Sequence, residues 1–119
     1  MYSERLLDHF LNPRNVGDLK SPAFTVEVTN PACGDILRLS ALIEDKCVTA
    51  VAYKVRGCTA SIAAGSALTT LIGGKPLRDL TLLTPVDIEE ALEGLPAESK
   101  HAARLCCDAV AALLRTVGQ

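Results

Sequence analysis

The chain has 119 residues, which favours one domain over residues 1–119. Hydrophobic residues make up 49% and aromatic residues only 3%, so the core must be aliphatic. The net charge is −2 and basic residues form no cluster, which argues against nucleic-acid binding. The apolar runs are too short to cross a membrane and the N-terminus lacks the apolar stretch of a signal peptide, so we expect a soluble, cytoplasmic protein without a membrane partner.

The first half of the chain predicts one helix followed by three strands. Apolar side chains recur at helical spacing in residues 2–11, and Pro13 ends this pattern. Strand-like alternation then runs through residues 24–29, 37–43 and 51–55. Alternation with one polar face is typical of an antiparallel sheet that is covered on one side. Polar residues 44–46 join the second and third runs as a hairpin.

The second half of the chain predicts helices. Residues 59–72 are small and helix-compatible, and Gly73 ends that helix. A second, short helix opens at Thr84, with Pro85 at its first position. The last helix extends from about Glu98 to Val117. One face of it carries Ala102, Cys106, Ala109, Val110, Leu113 and Val117.

Five cysteines are an odd number for a disulfide framework. In a cytosolic chain they favour free thiols, metal ligands or reactive nucleophiles. They are Cys33, Cys47, Cys58, Cys106 and Cys107.

Two of these cysteines lie beside glycines where the local pattern changes. Cys33 belongs to residues 30–35 (NPACGD), which connect the first two strands, and Asp35 follows two residues later. Cys58 lies between the third strand and a helix, at a helix N-terminus that favours the thiolate. Two thiols and a carboxylate are three of the four ligands of a zinc site, or part of a site for iron and sulfide. The alternatives are two incidental cysteines and an Asp35 that caps a turn.

Four segments together resemble one known family. They are residues 9–17 (HFLNPRNVG), 30–35, 57–63 (GCTASIA) and 95–109. In this order and approximate spacing they are similar to the NifU/IscU-type scaffolds that assemble iron–sulfur clusters. The resemblance implies a SufE/NifU-like α+β fold, with a three-stranded antiparallel sheet, helices on one face, and a site built from three loops at one end.

The resemblance also implies ligands and cofactors. By position, Cys33 and Cys58 match the first two cluster cysteines, and Asp35 matches the aspartate that keeps the cluster labile. His101 matches a histidine that can itself bind metal. The implied cofactor is a [2Fe–2S] cluster or iron, and the same four ligands could hold zinc.

The chain departs from the family pattern after His101. Ala102 stands where a third cysteine is expected. Cys106 lies one helical turn further on the same face, about 6 Å along the axis, and is a further candidate ligand. A buried core residue is the favoured interpretation of Cys106. Cys107 is a weaker candidate, and Cys47 is interpreted as the first residue of a strand.

The predicted function is that of a scaffold or carrier and not of an enzyme with turnover. It would receive sulfur from a cysteine desulfurase, bind iron, build a cluster and pass it to apo iron–sulfur acceptor proteins. A chaperone is a further implied partner, because residues 95–96 match the start of its recognition segment, although residues 97–99 depart from it. One alternative is a sulfur acceptor that carries a persulfide on Cys58 or Cys33. Another is a zinc-bound or metal-free structural paralogue that docks on the assembly machinery.

Overall fold

A three-stranded antiparallel sheet forms one layer of the fold and helices form the other. The computed structural model describes residues 1–118, and Gln119, the last residue of the expected domain, lies outside them. The strands are β1 (Phe24–Thr29), β2 (Ile36–Glu44) and β3 (Cys47–Arg56), paired in the order β1-β2-β3. The predicted α+β class and antiparallel sheet are confirmed.

Five α-helices and one 3₁₀ turn complete the described part of the chain. They are α1 (Glu4–Leu11), α2 (Thr59–Ile72), α3 (Leu77–Leu80), α4 (Pro85–Ala91), the 3₁₀ turn Ala97–Ser99 and α5 (His101–Thr116). The bounds of α2 agree with the prediction. Helix α3 was not predicted, because four residues are too few to show a helical period.

Two predicted helix starts are wrong, and each has a local cause. Helix α1 begins at Glu4, because the Ser3 side chain accepts a hydrogen bond from the Leu6 N–H at 3.0 Å and caps the helix. Helix α5 begins at His101 and not near Glu98, because the preceding residues form the 3₁₀ turn. This second shift makes His101 the first residue of α5.

The core lies between one face of the sheet and the helices. Helix α2 contacts β3 and α5, while α5 contacts β1 and β2. The central strand β2 buries Leu37, Leu39 and Ala41 completely. Small residues of α2 let it approach the sheet closely, so that the ring of Tyr53 lies directly against Gly65. The interpretation of Cys47 as a strand start is confirmed, since it is the first residue of β3.

A polar cluster, of which His9, Ser66 and Thr69 are buried, connects α1 and the following loop to the middle of α2. Ser66 Oγ lies 2.7 Å from His9 Nδ1 and accepts a hydrogen bond from the Arg14 N–H at 2.9 Å. One turn along α2, Thr69 Oγ1 accepts a hydrogen bond from Asn15 Nδ2 at 3.0 Å. These five residues are called the anchor cluster below.

The register of the sheet brings two chain connections to the same end of the strands. Ile36, the first residue of β2, pairs with Thr29 at the end of β1 and with Arg56 at the end of β3. The β1–β2 loop and the β3–α2 junction therefore lie side by side. Among residues 1–118, no helix combines the length and apolar character needed to span a bilayer.

Candidate metal centre

The β1–β2 loop presents Cys33 at the protein surface. The Asn30 side-chain oxygen accepts hydrogen bonds from the N–H groups of Ala32 at 2.8 Å and Cys33 at 3.2 Å. Asn30 also exchanges backbone hydrogen bonds with Gly34 and Asp35, both at 2.8 Å. Gly34 has φ +80°, a left-handed conformation that glycine adopts without strain. These hydrogen bonds hold the loop in a conformation in which Cys33 is exposed and Asp35 is buried.

Cys58 is the N-cap residue of α2, as the sequence predicts. Its Sγ lies 3.4 Å from Ser61 Oγ and 3.6 Å from His101 Nε2, and the residue is half-buried. The backbone N–H groups of the first turn of α2 lie next to this position. The thiol of Cys58 is therefore held beside an imidazole and at the positive end of a helix.

The carboxylate of Asp35 lies at the centre of the site. Oδ2 accepts a hydrogen bond from Ser61 Oγ at 2.7 Å and one from the Cys58 N–H at 3.4 Å, and it lies 3.5 Å from His101 Nε2. Burial opposes ionisation and is the largest single influence on the pKa of Asp35. The hydrogen bonds from Ser61, Cys58 and Cys33 together outweigh it, so the pKa lies below its usual value. Asp35 is thus a buried carboxylate that its neighbours keep ionised.

Because Gly57 has no side chain, the carboxylate of Asp35 can pack directly against its backbone. A Cβ atom at this position would lie 2.5 Å from Asp35 Cγ and within 2.9 Å of both carboxylate oxygens. Any larger residue would displace the carboxylate or the β3–α2 junction. The glycine before Cys58 is therefore needed so that Asp35, from the β1–β2 loop, can pack beside it.

His101 enters the site from the start of α5. The 3₁₀ turn Ala97–Ser99 precedes it, and Lys100 forms an ion pair of 2.5 Å with Glu89 of α4. This pair is half-exposed on the lysine side, so we assign it little net stability, but it connects the entry of α5 to α4. The imidazole Nε2 reaches both Cys58 Sγ and Asp35 Oδ2.

The four donors, Cys33, Asp35, Cys58 and His101, are called the donor cluster below. One donor atom each from Cys33, Asp35 and His101 lies within 4.8 Å of the other two. Cys58 Sγ does not belong to this mutually close group, although it lies 3.6 Å from His101 Nε2. Ligands of a tetrahedral zinc ion lie about 3.3–3.8 Å apart, given bonds of about 2.0–2.3 Å. Two sulfurs, one oxygen and one nitrogen are donor types that suit zinc or iron. The structure brings three of them within reach of one another and places Cys58 beside His101.

The other cysteines lie elsewhere among residues 1–118. Cys106 is 1% exposed and belongs to the hydrophobic core, as its favoured interpretation expects, and burial raises the pKa of its thiol. Burial also raises the pKa of Cys107, to about 11. Cys47 lies at the hairpin end of the sheet, away from the donor cluster. Ala102, at the expected position of a third cysteine, is completely buried.

Two residues of the site were missed by the sequence analysis. Ser61 bonds to Asp35, and Gly57 accommodates it. The position of Ser61, three residues after the N-cap Cys58, was an available signal. A side chain there points back toward the first turn of the helix, as in a capping box.

The known proteins to which this chain is similar share one family. The family model described as "NifU-like N terminal domain" matches residues 1–116. The chain is 42% identical over 106 residues to an iron-sulfur cluster assembly scaffold protein IscU of Aquifex aeolicus, covering 87% of this chain and 68% of the relative. It is 37% identical over 117 residues to the corresponding protein of Escherichia coli K12, covering 95% and 91%.

A solved structure shares the fold. It is that of a nitrogen-fixing NifU-like protein (N-terminal) from Brucella abortus, with a TM-score of 0.78 and 21% identity, over 97% of this chain and 92% of that one. At this identity the likeness concerns the fold alone.

Proposed function

The chain belongs to the NifU-like N-terminal domain family, and on this premise we propose that it is a scaffold for iron–sulfur cluster assembly. The observation that carries the proposal is the donor cluster, in which residues from three separate segments converge at one end of the fold. The cargo would be iron, or a [2Fe–2S] cluster, and zinc would compete for the same donors. The protein would act by holding and releasing this cargo and not by catalytic turnover.

The exposure of the donors supports a role in transfer. Cys33 is exposed, and Cys58 and His101 are half-buried, so cargo could enter and leave without unfolding of the core. A carboxylate exchanges from iron more readily than a thiolate, which would keep the cluster labile. The partners would be a cysteine desulfurase, an apo iron–sulfur acceptor protein and a chaperone. The protein would bind them in the cytoplasm.

Anaerobic reconstitution tests this proposal. The protein would be incubated with ferrous iron, cysteine, a cysteine desulfurase and a thiol reductant. Each transferred sulfur needs two electrons to become sulfide. Of the four electrons for two sulfurs, two come from oxidation of the two ferrous ions to ferric iron and two come from the thiol reductant. We expect the visible absorption and circular dichroism of a [2Fe–2S] chromophore. Cys58→Ser should abolish the signal, whereas Cys47→Ser, at the other end of the sheet, should retain it. A wild-type protein that forms no chromophore would contradict the scaffold role.

The alternative of a sulfur acceptor is favoured by one observation, the buried Ala102 at the expected position of a third thiol. Loss of one ligand weakens cluster binding more than it weakens thiolate chemistry. The Cys33 thiolate would attack the outer sulfur of the desulfurase persulfide, forming a new S–S bond while the donor S–S bond breaks and the donor leaves as a thiolate. Its exposure makes Cys33 the more accessible of the two site thiols.

Mass spectrometry separates the two functions when it is combined with the reconstitution, because a pure sulfur acceptor gains sulfur but forms no chromophore. After incubation with a desulfurase and without iron, a sulfur acceptor gains the mass of one sulfur atom, and Cys33→Ser does not. If no mass is gained but reconstitution gives the chromophore, the scaffold proposal stands alone. A protein that gives neither result, whether it binds zinc or no metal, would be the structural paralogue.

A further inference from the structure

Ser61 is a buried polar residue beside the donor cluster, and it is not itself one of the proposed ligands. It is 2% exposed and lies one turn into α2. Its hydroxyl donates to Asp35 Oδ2 at 2.7 Å and lies 3.4 Å from Cys58 Sγ. A buried hydroxyl at this point would be costly unless it were bonded, and the carboxylate supplies the partner.

The hydrogen bond from Ser61 is the shortest that Asp35 Oδ2 receives. The Cys58 N–H lies at 3.4 Å and His101 Nε2 at 3.5 Å, distances at which hydrogen bonds are weak. A bond from a hydroxyl to a carboxylate is charge-assisted and about twice as strong as a neutral one. Ser61 therefore contributes most to holding the carboxylate in place.

The opposite side of the carboxylate is also closed. Gly57 leaves so little room that a single Cβ atom would lie 2.5 Å from Asp35 Cγ. Only 11% of the Asp35 side chain is exposed, so water has little access with which to replace the serine hydroxyl. The carboxylate is thus held between Ser61 and the backbone of Gly57.

We propose that Ser61 is a positioning residue of the metal centre, which orders the Asp35 carboxylate before the metal arrives. This inference rests on the proposed function. A ligand that is already ordered loses less conformational entropy on binding, so the metal is held more tightly. The serine acts through Asp35, because its single hydroxyl proton is used in the bond to the carboxylate. Its oxygen accepts a hydrogen bond from the Cys58 thiol at 3.4 Å, and that thiol proton is lost when the sulfur binds a metal.

A double-mutant cycle tests this role. Cobalt(II) would be titrated anaerobically into the wild-type protein, Ser61→Ala, Asp35→Ala and the double variant, with affinity read from the cobalt–thiolate absorption and by competition with a chelator. We expect Ser61→Ala alone to lower the affinity about tenfold, the scale seen when a partner of a metal ligand is removed. In the Asp35→Ala background the same change should have no effect, because the group through which Ser61 acts is gone.

Two further variants separate positioning from folding. Ser66→Ala removes a buried hydroxyl from the same helix without touching a donor, and it should leave cobalt affinity unchanged. Ser61→Thr keeps the hydroxyl and should restore most of the affinity lost in Ser61→Ala. Thermal unfolding of each metal-free variant shows whether it is folded.

The outcomes distinguish this inference from the proposed function. If the wild-type protein binds cobalt but Ser61→Ala binds it equally well, the positioning role is overturned and the scaffold proposal stands. The same holds if Ser61→Ala loses the same affinity with and without Asp35. If the wild-type protein binds no cobalt at all, the positioning role is overturned, and the reconstitution with iron and sulfur decides the scaffold proposal separately.

Discussion

Two polar clusters lie along helix α2, one around Ser61 and one around Ser66. In the anchor cluster, His9, Ser66 and Thr69 are all buried, and their polar atoms bond to one another or to the neighbouring backbone. In the donor cluster only Asp35 is buried, while two sulfurs and an imidazole remain accessible.

The same residue type on the same helix therefore supports two different tasks. Ser66 uses its hydroxyl to fix α1 and the loop after it, so its hydrogen bonds stabilise the fold. Ser61 uses its hydroxyl to fix one metal donor, so its hydrogen bond prepares a site. Changes in the donor cluster should alter metal affinity with little effect on folding, and changes in the anchor cluster should do the reverse.

The largest expected effect is the loss of a thiol donor. Cys58→Ser should lower zinc affinity by more than the ~100-fold that removal of an outer partner can cause, because a ligand itself is lost. The free energy of unfolding of the metal-free protein should change little, since the residue is half-buried at a helix end. Competition with a zinc chelator measures the affinity and urea denaturation the stability. An unchanged affinity would place the metal elsewhere.

A matched pair of glycine substitutions separates the site from the core. Gly57→Ala would place a Cβ 2.5 Å from Asp35 Cγ, and Gly65→Ala would place one 2.5 Å from the Tyr53 ring. Each should destabilise the protein by about 1–3 kcal/mol through overpacking. Only Gly57→Ala should also weaken zinc binding in the folded protein. Equal zinc affinities in the two variants would contradict the close packing of Asp35 against Gly57.

Removal of the anchor serine should affect stability alone. Ser66→Ala leaves the Arg14 N–H and the His9 ring without their partner, which should cost about 1–3 kcal/mol in the free energy of unfolding. Urea denaturation measures this loss. Zinc affinity should equal that of the wild type, and a clear decrease would show that the two clusters are coupled along α2.

Cys106 offers a smaller test of the boundary between site and core. Cys106→Ala should cost about 0.5–1.5 kcal/mol, as for other small deletions from a packed interior, because the residue is 1% exposed. The zinc stoichiometry should not change. Loss of bound zinc in this variant would make Cys106 a ligand and would require α5 to shift.

The smallest expected effect is a pH dependence that originates in the anchor cluster. Burial, followed by the charge of Arg14, lowers the pKa of His9, and Asp8 opposes this. Since the pKa of histidine in the unfolded chain is about 6.5, the unfolded chain binds more protons than the folded protein below that pH. The contribution of neutral His9 to the free energy of unfolding is therefore complete above about pH 6.5 and is lost as the pH falls. Thermal unfolding between pH 5 and pH 8, ~1.5 pH units either side of the unfolded-state histidine pKa, should show this loss of stability. His9→Gln should flatten the dependence, and an equal slope in both proteins would assign it to another group.

Much of the fold was predictable because its signals are local. The small residues of α2 and the alternation in β1 and β2 predicted those elements with nearly correct bounds, whereas β3 begins at Cys47, before the predicted run of residues 51–55. The start of α5 was not predictable from its pattern, because the 3₁₀ turn before it continues the same helical-looking composition. This error matters, since it decides where His101 lies.

The site was less predictable, because its geometry depends on contacts between distant segments. Family motifs identified the four candidate donors. Ser61 and Asp35 are separated by 26 positions in the sequence, and no periodic pattern predicts their contact. Gly57 is recognised in the sequence as the glycine beside Cys58, and its contact with Asp35 follows only from the side chain that packs against it.

X-ray absorption at the zinc edge of the zinc-loaded protein, prepared without oxygen, tests most directly whether the donor cluster binds one shared ion. The account predicts four-coordinate zinc with two sulfurs at about 2.3 Å and two lighter ligands at about 2.0–2.1 Å. A shell of three or four sulfurs, or one that contains only oxygen and nitrogen, would contradict it.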